Sequence, residues 1–296
     1  MLKKKEFDLL LLLTETNGMP SQRELSSKLG CSVGTVNKLL KDCSENGWCD
    51  ANGITAAGLE ALEPYRVKRA VFIAAGFGSR LVPITLNTPK PLVRVNGKRM
   101  IDTLLDAVVA AGIPEIVIVR GYLGEQFDQL LYKYPDIKFV ENPIYNESNN
   151  ISSAMCVRYM LQNAYVLESD LLLTNPSLIR KYEYQSNFLG IPVEVSDDWC
   201  FVTDANGYIT EQKVGGRDCH QMVGISYWNA EDGAKLADDL AAVYNEPGGK
   251  ERYWEQAALA YKKEHYKIAV RECGFDDIVE IDTFGELKKI DKTYDI

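Results

Sequence analysis

With only two histidines, His220 and His265, in 296 residues, the chain offers no Ser/His/Asp set, and both rings read as surface or structural groups. Seven cysteines (Cys31, Cys43, Cys49, Cys156, Cys200, Cys219 and Cys273) include no C-x-x-C pair. An odd number so widely scattered reads as reduced, buried thiols in a cytoplasm. Long hydrophobic runs are missing too. The nearest to one, in MLKKKEFDLLLLLTETNG, is interrupted by acids, too short for a bilayer and followed by no small-residue cleavage site. It reads as a helix, and no membrane partner is expected. Net positive charge is also lacking: a formal −9 argues against a large surface coated by nucleic acid. What is there, 46% hydrophobic and 25% charged residues, describes an ordinary soluble protein with enough chain for about two domains.

Residues 1–65 follow one pattern. A helix from Lys5 to Thr16, the break NGMPS, a second helix QRELSSKLG, a turn and a third helix SVGTVNKLLKDCSENG make a helix-turn-helix. Gly30 is placed as a C-cap and Ser32 as an N-cap. Val33, Val36, Leu39 and Leu40 fall at helical spacing toward a core, leaving Ser32, Thr35, Asn37, Lys38 and Lys41 outward, where a groove-reading helix would present them. WCDANGITAAGLEAL adds a hairpin around Asn52-Gly53 and a closing helix. The whole resembles the winged-helix regulators of the multiple-antibiotic-resistance type, which implies DNA as a partner. Glu24, Asp42, Glu45 and Asp50 offset the lysines, however, and DNA affinity rests on clustered Lys and Arg. A docking, homodimerising or vestigial module is therefore the alternative.

Residues 66–296 change to alternating strands and helices. RAVFIAAG, EIVIVRG, IKFVEN and AYVLESDLLL read as strands; MIDTLLDAVVAAG, EQFDQLLYKY and NISSAMCVRYMLQNA read as helices. The expected class is α/β: a doubly wound, Rossmann-like domain whose ligand lies beyond the carboxyl ends of the strands. After the first strand, Gly76 and Gly78 let the backbone approach an anion, and Arg80 and Lys90 add charge, so phosphate is the expected guest. A dinucleotide fingerprint is disfavoured because Leu81 stands where its third glycine belongs and Pro83 follows. No Walker loop is present either.

The stretch AAGFGSRLVPITLNTPKPLVRVNGKRMID resembles the signature of the nucleotidyltransferases that join a nucleoside triphosphate to a phosphorylated sugar or alcohol. The resemblance implies nucleotide binding by Ala74, Ala75, Gly76, Gly78, Ser79 and Arg80, with Arg80 and Lys90 on phosphate oxygens. VRGYLGEQF resembles the family's G-Y-x-x-E segment and YNESNNISSAM the asparagine-rich stretch of bacterial CTP:phosphocholine cytidylyltransferases. They add Gly121, Tyr122, Asn149 and Ser152 to the nucleotide side. YVLESDLLL resembles the strand that delivers the metal-binding aspartate, so Asp170 is implied as a magnesium ligand. Glu168 keeps a second carboxylate on the same strand face, by period-two spacing. Glu255, in RYWEQAAL, matches an aspartate implied as the second ligand, and IVEIDTFGELKKI places Glu280 and Asp282. Similarity covers about residues 68–290.

The activity this implies is cytidylyl transfer from CTP to phosphocholine, giving CDP-choline and pyrophosphate, with Arg80, Lys90 and Asp170 as the catalytic set. The acceptor phosphate is already ionised, so alignment and charge neutralisation suffice. A quaternary ammonium is recognised by aromatic faces with carboxylates nearby. Trp199, Tyr227, Trp228, Tyr253 and Trp254 are the aromatic candidates. Strand neighbours Tyr227 and Trp228 must point opposite ways. The acceptor set expected is Trp199, Tyr253, Glu280 and Asp282. Phosphoethanolamine, aminoethylphosphonate and a sugar 1-phosphate stay open as acceptors, as does a DNA-binding regulator whose transferase-like domain senses CTP or CDP-choline.

Overall fold

A computed structural model describes residues 1–295 as two compact units, Met1–Arg66 with Tyr182–Tyr184, and Val67–Lys181 with the described residues from Gln185 onward. The first unit runs α1 (Lys4–Thr14), α2 (Gln22–Lys28), α3 (Val33–Glu45), β1 (Cys49–Asp50), β2 (Gly53–Ile54) and α4 (Ala56–Leu62). Local chemistry sets the helix starts. Ser21 and Glu24 form a capping box on α2, Ser32 Oγ accepts the Thr35 N–H at 3.2 Å on α3, and Thr55 caps α4. Gly30 takes the left-handed conformation after α2. Val36 and Cys43, two turns apart on α3, are fully buried, with Leu39 and Leu40 packed partly against them. Val33, expected inward, is instead exposed: it sits in the first turn of α3, before that helix reaches the core. Phe7 of α1, Tyr65 and Tyr184 bring three rings together, Tyr65 and Tyr184 stacking at 5.5 Å.

The second unit continues with β3 (Arg69–Ile73), β4 (Arg94–Val95), β5 (Lys98–Arg99), α5 (Met100–Ala110), β6 (Glu115–Arg120), β7 (Ile137–Glu141), α6 (Ile151–Val157), β8 (Ala164–Glu168), β9 (Leu171–Leu173), β10 (Asn187–Thr203), β11 (Ile209–Trp228), α7 (Ala230–Asn245), β12 (Ala269–Glu272), β13 (Ile278–Glu280) and α8 (Phe284–Ile290). Seven strands form one sheet in the order β12-β10-β11-β8-β3-β6-β7. β7, β6, β3 and β8 pair in parallel, and β11 runs antiparallel to both neighbours. The α/β expectation therefore holds.

Burial explains the pattern. Ala70 and Phe72 of β3 enter one apolar core, Val71 and Ile73 the other, so the strand is apolar on both faces and shows no polar alternation. α5 covers the first face with Ile101, Leu104, Leu105 and Val108, spaced i, i+3, i+4, i+7; α7 covers the second with Leu236, Leu240 and Val243.

Three elements depart from expectation. NISSAMCVRYMLQNA is α-helical only over Ile151–Val157, and a 3₁₀ turn, Arg158–Met160, follows. EQFDQLLYKY lies in a 3₁₀ run, Gly124–Tyr132, and not an α-helix. Its buried residues Phe127 and Leu130 are three apart, the spacing a 3₁₀ turn aligns on one side. AYVLESDLLL is two strands, not one: β8 belongs to the main sheet, and β9 pairs with β13. Ser169, at the break, donates its hydroxyl to the Ile73 carbonyl at 2.8 Å, which turns the chain away at the sheet's end. All seven cysteines are free thiols. Among the described residues, no helix is long and apolar enough to cross a membrane.

Candidate active site

The turn after β3 is held from several sides. The Ala74 N–H donates to the Val119 carbonyl at 2.9 Å and the Tyr122 N–H to the Ala75 carbonyl at 3.0 Å. Thr85 Oγ1 donates to the Gly78 carbonyl at 2.9 Å, and Tyr122 Oη donates to the Thr85 carbonyl at the same distance. Gly78 has φ +67°, and a Cβ there would lie 2.9 Å from Lys90 Cβ. Only glycine meets both demands, so the loop and the Lys90 stem are packed as one piece.

Lys90 is buried and reaches two carboxylates. Its Nζ donates to Asp170 Oδ2 at 2.7 Å and to Asp282 Oδ1 at 2.8 Å; Arg80 Nη2 donates to the same Asp282 oxygen at 2.7 Å. Burial, the largest influence on Lys90, pulls its pKa down, but Asp170 and Asp282 outweigh it and hold the ammonium above its ordinary value. It stays charged. Arg80 is largely exposed.

Around these cations stands an acidic wall. Glu168, Asp170 and Glu280 each offer a carboxylate oxygen within 4.8 Å of the others. β13 delivers Glu280 by pairing it with Leu171, the residue after Asp170. Gly224 makes room beside it, since a Cβ there would sit 2.4 Å from Glu168 Oε2. Burial, followed by the charges of Asp170, Glu255 and Glu280, pushes Glu168 well above the usual carboxylate range. Burial and then Asp170 and Asp282 lift Glu280 to about 8. Asp170 Oδ1 is a buried oxygen with no hydrogen-bond partner among the described residues. Clustered, charge-frustrated oxygens of this kind fit a hard divalent cation.

These groups line one cavity of about 430 Å³. Also lining it are Trp199 and Tyr253, whose rings meet edge to face at 5.8 Å, together with Asp198, Met222 and Glu255. The cavity thus joins a glycine loop with two cations, a carboxylate cluster, and an aromatic pair flanked by acids.

Comparison with known proteins decides the family. The Nucleotidyl transferase family model matches residues 69–187. The chain is 35% identical over 228 residues to the 2-aminoethylphosphonate cytidylyltransferase of Lancefieldella rimae, covering 76% of this chain and 92% of that protein. It is 31% identical over 225 residues to the choline-phosphate cytidylyltransferase of Streptococcus pneumoniae, covering 76% and 97%. A solved structure of the CTP:phosphocholine cytidylyltransferase from Streptococcus pneumoniae superposes with a TM-score of 0.71 over 77% of this chain and 99% of that one, at 31% identity. The chain belongs to the nucleotidyl transferase family.

Within this nucleotidyltransferase, the cavity gathers most of the expected residues: Ala74, Gly76, Gly78, Ser79, Arg80, Lys90, Asn149, Asp170, Trp199, Tyr253, Glu255, Glu280 and Asp282. Four lie outside its lining. Ala75 and Tyr122 brace the glycine loop as described, and Gly121 packs on the Tyr145 ring, which a Cβ would meet at 2.7 Å. Ser152 is buried, accepting from Asn142 Nδ2 and donating to the Asn149 carbonyl.

Glu255, expected beside Asp170 as a ligand, is outside the three-carboxylate cluster; its Oε1 accepts from Gln212 Nε2 at 3.3 Å. Glu280, expected on the acceptor, is inside it. The acid-x-acid repeat shared by Glu168-Asp170 and Glu280-Asp282 was the available signal. Asp198 was legible as an acid beside Trp199 in SDDWCF, whereas Met222 carried no signal beyond position. Tyr227, Trp228 and Trp254 are core residues, Tyr227 against Tyr165 and Trp228 against Phe188 and Trp254.

Proposed function

We propose that the chain is a cytidylyltransferase that moves CMP from CTP onto a small aminoalkyl phosphonate or phosphate, and that this acceptor carries a primary amine, as 2-aminoethylphosphonate does. An acceptor oxygen attacks the α-phosphorus of CTP. The new P–O bond forms as the bond from that phosphorus to the bridging oxygen of pyrophosphate breaks, and the electron pair leaves with pyrophosphate. The attacking oxygen is already ionised, so no residue has to remove a proton. Lys90 and Arg80 would turn from Asp282 to phosphate oxygens, and the glycine loop would hold the triphosphate through its backbone. Asp170, with Glu168 and Glu280, would hold magnesium, which when bound neutralises phosphate charge.

The observation that carries the acceptor reading is Glu255 Oε2, a buried oxygen on a cavity-lining residue that lacks a hydrogen-bond partner among the described residues. A primary ammonium has N–H donors to offer it, and a trimethylammonium has none. A second reading, phosphocholine, is favoured by the Trp199–Tyr253 pair, whose faces suit a quaternary cation. Pyrophosphate release with CTP and a panel of 2-aminoethylphosphonate, phosphoethanolamine, phosphocholine and a sugar 1-phosphate tests the assignment. Highest kcat/KM on a primary amine supports it, and highest on phosphocholine replaces it with the second reading.

A further inference from the structure

Tyr253 and Glu255 stand on a segment with little regular structure of its own. It runs from the 3₁₀ turn Gly249–Glu251 to the π-helical turn Ala257–Tyr261. Such a segment must find partners for its backbone groups outside any helix or sheet ladder. Some are local, such as the Tyr253 N–H donating to Gln256 Oε1 at 3.0 Å; others come from the asparagine-rich loop before α6. The Trp254 N–H donates to Asn150 Oδ1 at 2.9 Å. The Asn149 N–H and Ser148 Oγ each donate to the Lys250 carbonyl at 2.8 Å, and Asn149 Nδ2 donates to the Glu251 carbonyl at 3.1 Å. The loop is itself braced, because the Asn150 N–H donates to Asn149 Oδ1 at 2.7 Å and Ser152 Oγ to the Asn149 carbonyl at 2.9 Å.

Trp254 is the one residue between Tyr253 and Glu255. Its ring is buried and stacks on Phe188 at 6.1 Å, whereas its two neighbours line the cavity. The peptide between Tyr253 and Trp254 is held locally on its carbonyl side, where the Gln256 N–H donates to the Tyr253 carbonyl at 3.2 Å. The hydrogen bond to Asn150 ties the amide side of the same peptide to the loop before α6. We infer that Asn150 is a positioning residue for the acceptor side of the site: by holding the Trp254 amide it sets where the Tyr253 ring and the Glu255 carboxylate meet the acceptor. This rests on the reading of Tyr253 and Glu255 as the acceptor wall. It also gives the asparagine-rich stretch a task apart from touching the nucleoside, since a small misplacement of positioning groups is enough to lower turnover.

The test uses the full chain. In Asn150→Ala, backbone hydrogen exchange of a peptide spanning residues 250–256 accelerates by about fivefold or more, with the central strands unchanged. The KM for 2-aminoethylphosphonate rises about five- to tenfold while that for CTP stays within about twofold. Asn150→Asp, which keeps an acceptor oxygen, retains slow exchange. Because Asn150 acts through the Tyr253 segment, adding Asn150→Ala to Tyr253→Ala raises the acceptor KM by less than about twofold further. Unchanged exchange in Asn150→Ala, loss of protection in Asn150→Asp, a parallel rise in the CTP KM, or multiplicative effects in the double variant would each overturn the inference. The two readings fail differently. Tyr253→Ala with an unchanged acceptor KM removes the acceptor wall and the inference with it, whereas an effective Tyr253→Ala beside a silent Asn150→Ala removes only the positioning role.

Discussion

The two compact units carry their structural information at different ranges. In the first, each helix begins at a side chain one to three residues from the group it satisfies: Ser21 and Glu24 on α2, Ser32 on α3, Thr55 on α4. In the second, the cavity draws on eight stretches around Gly76, Lys90, Asn149, Asp170, Trp199, Met222, Glu255 and Glu280. Local punctuation is enough to build helices. Chemistry at a phosphate needs opposite charges brought together from distant parts of the chain, and only a sheet with its loops at one end does that here.

The comparison breaks most sharply at Asp170. Asp170→Asn removes one charge from the Lys90 pair and from the carboxylate cluster, and turnover should fall two to three decades, about 3 to 4 kcal/mol, with far-ultraviolet circular dichroism unchanged. Activity within about threefold of the parent protein would remove Asp170 from the reaction.

Next in size is a pH effect at Glu255, whose carboxyl is raised by burial from 4.5 to about 7. The folded protein holds that proton more tightly than the unfolded chain, so this group's contribution is full below pH 4.5 and is lost as pH rises toward 7. Glu255→Gln has no such loss. Its stability relative to the parent should climb by about 3 kcal/mol between pH 4.5 and 8, read from urea unfolding at several pH values. A flat difference would mean that Glu255 ionises normally in the fold.

Trp199→Ala should raise the acceptor KM about five- to thirtyfold, ~1 to 2 kcal/mol, and leave the CTP KM within about twofold. Equal changes in both constants, with a lowered melting temperature, would make Trp199 a packing residue. The smallest effect belongs to the first unit. Ser32→Ala removes the cap of α3 at a cost of about 1 kcal/mol to that unit, and turnover should stay within about twofold. A large loss of turnover would contradict the modular reading, because every cavity-lining residue belongs to the second unit.

Legibility followed the same division. The glycine loop, Arg80 and Lys90 were readable because they lie within one short stretch whose composition is unlike its surroundings. The helices were readable from caps and from the spacing of Ile101, Leu104, Leu105 and Val108. The three-carboxylate cluster is only partly legible in the sequence. Asp170 follows a recognisable strand, but its partner Glu280 is set by the β9–β13 pairing, which no local pattern encodes. The aromatic candidates divided as the geometry of neighbours requires, Tyr253 on the cavity and Trp254 in the core.

By itself, then, the sequence determined the class of the second unit, its alternation of elements and the glycine-rich, cationic make-up of its first loop, since these depend on periodicity, glycine freedom and charge within a few residues. Only the tertiary structure decided which carboxylates face one another. Coulombic interaction depends on distances of a few ångströms, and those distances arise when β8, β9 and β13 bring Glu168, Asp170 and Glu280 together.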